Sequence, residues 1–286
     1  NLVVNTFQLV NPQPGVQPGW LFRLIFGLIF AGLTGAVIIG GIKSIGRVAA
    51  VLVPVMCFFY VLAGLLILIL NIDKVPGAFG TILHYAFNAP EALEGGLLGA
   101  VIRYGVARGL FSNEAGLGSA PMAHGAARTE EPVREGLVAM LGPFIDTILI
   151  CSITGLVIVL TGAYEIEGVK DGELTSVAFD QGLNNIIGGR IVSLGIIFFA
   201  FSTMITWSYY GNRGADYLFG KKAVLPYQIL YLGFIILGAL VQLDVILSFS
   251  DVMNGLMAIP NLIALLVLSP VVAKLTKDYF ARMKEM

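Results

Sequence analysis

Seven stretches of this chain are apolar for long enough to cross a lipid bilayer, and that repetition constrains its fold more than any single motif. Inside hydrocarbon every backbone amide and carbonyl must find its partner within the protein, so a spanning chain forms helices or a closed barrel. Crossing as a helix takes roughly 20 apolar residues, whereas barrel strands are about half as long and alternate in polarity. The runs fall at 20–41, 48–71, 95–127, 138–161, 191–210, 224–241 and 246–272, which predicts one all-α integral membrane domain over 1–286. Only 12% of the residues are charged, about half of the ~25% usual for a soluble domain. A net charge of -1 offers no basic field for nucleic acid. Cys57 and Cys151 lie in separate apolar runs and read as small hydrophobes, with neither a disulfide framework nor a metal site indicated.

The third run is unlike the others. Residues 96–106 read as an apolar helix and residues 120–127 as another, but Gly105 falls near the end of the first, and between them stand Gly109, Gly116 and Gly118 with the polar run Ser112-Asn113-Glu114. Glycine in a helix interior is destabilising by roughly 1 kcal/mol relative to alanine. We read 95–127 as a discontinuous helix. Unwound backbone at membrane depth survives only where protein buries it or it lines a wet cavity, so the break marks a binding site. A GxxxG packing seam through Gly105 and Gly109 is the plainer reading; it accounts for those glycines but not for Asn113 and Glu114.

A broken helix offers carbonyls from its first half and amides from its second. Carbonyls around Gly109, Leu110 and Phe111 suit a substrate ammonium, and the Ser112 and Asn113 side chains add hydrogen bonds or oxygen ligands for a hard cation. Glu114 is open to three roles: a coupling carboxylate, a partner for Arg108, or a cap on the second half. In the run at 191–210, Ser202 pairs with Thr206 and Thr203 with Trp207 at i,i+4 spacing. Those hydroxyls suit Na⁺, or equally bond to their own backbone. Trp207 reads as a pocket wall or an interface anchor. His124 follows the break and His84 falls in an external loop, neither at metal-ligand spacing. Ser119 and His124 stand five apart, and no GxSxG elbow is present, which argues against a membrane hydrolase.

The remaining punctuation sets the topology. Asn11-Pro12-Gln13-Pro14-Gly15 ends what reads as the tail of an earlier helix; since the chain starts at Asn1, it reads as the back part of a longer protein. The polar interval 163–189 suits an external loop with a short amphipathic helix near 176–187. Asn254, Pro260 and Asn261 make the last run one broken crossing or two short pieces. With a single final crossing, Lys and Arg in alternate loops divide eleven to three in favour of the side holding the C-terminus, which predicts a cytoplasmic tail.

The residues from Gly109 through Pro121 with His124 resemble the alanine or glycine:cation symporter family, the sodium:alanine symporters. The likeness continues in Gly136–Met140 with Phe144-Ile145-Asp146-Thr147, in Phe199–Thr203 through Trp207–Gly211, and in Asp251 with Asn254–Leu262. It implies a leucine-transporter-like inverted five-helix repeat, incomplete at the N-terminus, with the first helices of the same transporter missing. It implies sodium-coupled symport of a small neutral amino acid, alanine or glycine, across the cell membrane by alternating access, with Na⁺ as coupling ion. Ser202 and Thr203 would ligate sodium; Phe111, Ser112 and Asn113 would lie beside substrate, with Trp207 closing the pocket. Val4 stands where family members carry a substrate-facing glutamine. The rival readings are a proton-coupled amino-acid carrier using Glu114 and a non-transporting membrane fragment.

Overall fold

In the computed structural model the described residues are 3, 6, 7, 18–87, 97–166, 169, 171–184, 186–241 and 243–285. Among them every regular element is a helix. We label these α1 (Trp20–Ile38), α2 (Gly41–Leu70), α3 (Val75–Phe87), α4 (Leu97–Asn113), α5 (Ala120–His124), α6 (Pro132–Thr161), α7 (Asp171–Gly182), α8 (Ile186–Phe219), α9 (Val224–Leu240) and α10 (Leu243–Glu285). Six of the helices are long and apolar enough to cross a membrane: α1, α2, α6, α8, α9 and α10. Large apolar side chains such as Phe58, Leu65, Ile69, Phe234 and Leu266 are exposed along them. Bands of that kind are unfavourable against water but match hydrocarbon.

The chain divides into two compact units. The first comprises residues 1–89 and 151–246, the second residues 90–150 and 247–286. In the first unit α1 packs on α9, and α2 packs on α8 and on the C-terminal part of α6. Small residues permit close approach: a Cβ added at Gly27 would stand 2.9 Å from that of Ala239, and Gly64 faces Ile153 with no room to spare. Tyr60 Oη and Thr154 Oγ1 are 2.6 Å apart, tying α2 to α6, and the Tyr60 ring lies 5.3 Å from that of buried Phe179. The turn from α7 into α8 is held by Asp180, whose Oδ1 accepts the Gly189 amide at 2.6 Å. Burial pushes the Asp180 carboxyl above its ordinary value, opposed by that amide and by Arg190.

In the second unit α4, α5, the N-terminal part of α6 and most of α10 come together. Within α6 the segment Phe144–Cys151 winds as a π-helix. Helix α10 runs unbroken for 43 residues with Pro260 and Pro270 inside it. The expected division of the last run is therefore corrected. A proline removes one i→i−4 bond, and the other amides along so long a helix keep the segment in register. His84, expected in an external loop, instead lies in α3. The short helix expected in the polar interval 163–189 is α7, which begins at Asp171, five residues before the amphipathic piece.

Candidate functional site

Helix α4 is regular to Asn113, past both Gly105 and Gly109, and the chain resumes as a helix only at Ala120. The interruption is thus 114–119, later than the glycine spacing suggests. Isolated glycines weaken a helix without stopping it; backbone sign reversals stop it. Three occur here, with φ of 56° at Glu114, 79° at Gly116 and 89° at Gly118. L-residues other than glycine rarely adopt that region, so Gly116 and Gly118 are what the sequence supplies to make the turn. Helix α5 is only one turn and a half long, ending at Gly125, whose amide bonds to Pro121 O at 2.9 Å.

The turn is closed by its own side chains. Asn113 Oδ1 accepts the Ala115 amide at 2.9 Å, and the Ser119 hydroxyl donates to Glu114 Oε2 at 2.7 Å, with Ser119 itself buried. Leu117 is buried beside it. From outside the turn, Asn261 Nδ2 donates to the Gly116 carbonyl at 3.0 Å. A Cβ at Gly118 would meet the Asn261 side chain at 3.1 Å. Glu114 does not pair with Arg108, the expected partner. The Arg108 guanidinium instead takes Asp251 on α10 in a two-pronged contact, 3.1 Å on each side. Geometry explains the exchange: six residues apart, Arg108 and Glu114 do not share a helix face even without the reversal, while the planar guanidinium fits a facing carboxylate.

Each predicted site residue can now be placed. Phe111, Ser112 and Asn113 form the last turn of α4, where the final four helix carbonyls have no amide of their own helix to accept. Phe111 and Ser112 are exposed and Asn113 is half-buried. Ser112 Oγ donates to Asp146 Oδ2 at 2.7 Å, and Asn113 Nδ2 to Thr147 Oγ1 at 3.3 Å. Ser202, Thr203 and Trp207 lie in the first unit, on unbroken α8. Ser202 Oγ donates to Phe199 O and Thr206 Oγ1 to Ser202 O, both at 2.8 Å. Thr203 is exposed, and the Trp207 ring packs edge-on against Tyr210 at 5.6 Å. Val4 lies outside the described residues.

The sequence reading passed over three contributors: Asp146 and Thr147 as partners of α4, and Asn261 as the brace of the turn. A signal existed for the first, since Asp146 is the one charged residue between Glu135 and Thr161. Beyond the turn, His124 Nδ1 lies 2.7 Å from Glu135 Oε1, and Arg282 grips Glu131 through two bonds of 2.8 and 3.0 Å. Helix α10 thus ties to α4 through Asp251, to the turn through Asn261 and to the start of α6 through Arg282.

Six helices long and apolar enough to cross a membrane define a multi-pass membrane protein, and a polar, glycine-built interruption such as that between α4 and α5 is a feature that transporters use to form solute sites. The model of the sodium:alanine symporter family matches residues 3–286, and the chain belongs to that family. It is 48% identical over 265 residues to an uncharacterized transporter of Haemophilus influenzae, covering 91% of this chain and 58% of the relative. It is 47% identical over 268 residues to the sodium/alanine symporter AgcS of Methanococcus maripaludis, covering 93% and 57%. A probable sodium/glutamine symporter, GlnT of Bacillus subtilis, is 36% identical over 263 residues, covering 92% and 55%. The chain spans somewhat more than half the length of these relatives, which are transporters rather than enzymes.

Proposed function

We propose that the protein couples inward movement of a small neutral amino acid, alanine or glycine, to Na⁺ by alternating access in the cell membrane, with its C-terminus in the cytoplasm. The observation that carries this reading is the interruption at 114–119 in a member of the sodium:alanine symporter family. The last-turn carbonyls of α4 present partial negative charge suited to an ammonium, and Phe111, Ser112 and Asn113 are the residues we assign to substrate. Ser202 and Thr203 are assigned to sodium, while Trp207 and Val4 carry substrate roles on resemblance alone. A leucine-transporter-like inverted repeat is the accompanying fold proposal. Coupling follows if ion and substrate each favour the state that binds the other.

The test is uptake of labelled alanine into proteoliposomes holding the full-length protein. Uptake should require a sodium gradient and persist when the proton gradient is collapsed. The reverse result would favour proton coupling through Glu114, and no uptake under either gradient would favour a non-transporting protein. Because relatives bear both alanine and glutamine in their names, competition by unlabelled glycine and glutamine defines the side-chain limit. Thr203→Ala should raise the sodium concentration for half-maximal uptake, and Asn113→Leu should weaken substrate binding. Each should change by about tenfold, the scale of one hydrogen bond or ligand; an unchanged value removes that residue from its role.

A further inference from the structure

The two units place their cations differently. In the second, Arg108 takes Asp251, Arg282 takes Glu131 and His124 meets Glu135. In the first, one end gathers cations with almost nothing to oppose them. Between Thr34 and Tyr60, and again between Thr206 and Leu230, the chain carries Lys43, Arg47, Arg213, Lys221 and Lys222 against a single carboxylate, Asp216. Arg213 uses that carboxylate at 3.7 Å and donates from Nε to the Tyr209 hydroxyl at 2.9 Å. The other four are exposed, and among the described residues none has a carboxylate within ion-pair distance.

Packing brings the two stretches to the same end of the unit. Helices α1 and α9 run antiparallel: Gly27 faces Ala239, Gly35 faces Leu232, and Gln228 Nε2 donates to Ile38 O at 3.5 Å. The turn from α1 into α2 therefore stands level with the turn from α8 into α9. Lys43 and Arg47 occupy the first two turns of α2, and Lys221 and Lys222 the single turn between α8 and α9. All four helices are apolar enough to cross a membrane, so these charges mark the level where hydrocarbon gives way to headgroups. The residues just before the lysine pair fit that boundary: Tyr217 is 90% exposed and Phe219 76%. Aromatic side chains bare at the end of a span suit the membrane interface. Four cations without protein counter-charges attract anionic lipid, and basic pockets between membrane helices take its headgroups.

We propose that Lys43, Arg47, Lys221 and Lys222 bind the headgroup of an anionic phospholipid, with Tyr217 and Phe219 seated at the acyl boundary beside it. The chemistry recognised is a phosphodiester whose charge the rest of the headgroup leaves uncancelled. Phosphatidylglycerol presents that charge, whereas phosphatidylcholine neutralises it with its own ammonium. A lipid held there joins the α1–α2 turn to the α8–α9 turn and stabilises the first unit.

The experiment melts the full-length protein in neutral detergent with increasing dioctanoyl-phosphatidylglycerol or dioctanoyl-phosphatidylcholine. No transport is measured, so the outcome stands apart from the symporter reading. Phosphatidylglycerol should raise the melting temperature and phosphatidylcholine should not. Lys221→Gln with Lys222→Gln should raise the half-saturating phosphatidylglycerol concentration about 25-fold, about fivefold for each charge removed. Lys43→Gln with Arg47→Gln should do the same, and carries the test if the first pair fails to fold. Lys221→Arg with Lys222→Arg keeps both charges and should keep the wild-type value. The control, Lys274→Gln with Lys277→Gln on α10, removes the same charge from the second unit and should leave the value unchanged. Equal stabilisation by the two lipids, an unchanged value in either folded glutamine pair, or an equal loss in the control overturns the site. So does displacement of phosphatidylglycerol by millimolar inorganic phosphate, which would make the ligand a soluble phosphorylated molecule.

Discussion

Helices α4 and α8 carry polar side chains in apolar surroundings and dispose of them in opposite ways. On α8 the hydroxyls of Ser202, Thr206 and Ser208 all return to carbonyls of their own helix three or four residues back. At the end of α4, Ser112 and Asn113 reach another helix, and the turn that follows takes a side chain from a third. A continuous helix consumes its own backbone, leaving its hydroxyls only a secondary share of carbonyls already engaged. An interrupted one must recruit partners from elsewhere, so its stability and its ligand contacts are shared among elements.

The largest expected effect comes from restoring ordinary backbone preference at the interruption. Gly118→Val places a β-branched residue at φ 89° with its Cβ against Asn261, a strain of about 1–3 kcal/mol before any clash. Alanine uptake should fall by more than tenfold and melting in detergent should drop. Wild-type behaviour would show that the turn tolerates side chains and that the contrast with α8 has no energetic basis.

Next comes Asn261→Leu, which removes the donor from the Gly116 carbonyl. A loss of about 1–3 kcal/mol follows if that carbonyl finds no other partner, visible as a lower melting temperature and faster hydrogen exchange at 114–119. A smaller coupling belongs to Arg108 and Asp251, whose side chains are 44% and 41% exposed. A double-mutant cycle with Arg108→Ala and Asp251→Ala should return about 0.5–1 kcal/mol, weakening with salt. The smallest change is expected in α8. Ser208→Ala deletes a fully buried hydroxyl that, among the described residues, bonds to Ile205 O within the same turn, so stability should shift by about 0.5 kcal/mol or less. A larger cost there would abolish the contrast.

Much of this could be read in the residues. The apolar runs determine helices because a bilayer leaves few alternatives, and the glycines near Asn113 announce a break. Its position was less legible: Gly105 and Gly109 look as disruptive as Gly116 and Gly118, and only the backbone angles separate glycines that a helix absorbs from those a turn requires. The partners of the break were least legible. Asp146 lies 34 positions from Ser112 and Asn261 lies 145 from Gly116, separations that no local periodicity reports. The pairing of Arg108 with Asp251 rather than Glu114 has the same cause, since the partner lies 143 positions away while Glu114, six residues on, is near in sequence but not on the same helix face.

Helix α10 gives the second unit a property that none of its short contacts has alone. Its ties at Asp251, Asn261 and Arg282 stand about 15 Å and then about 30 Å apart along a rod rising 1.5 Å per residue. Sliding or rotating that rod by a single helical turn would unfasten all three together, because no one of them can follow without the others. Any shift of α10 along its axis is therefore opposed at three separated points at once.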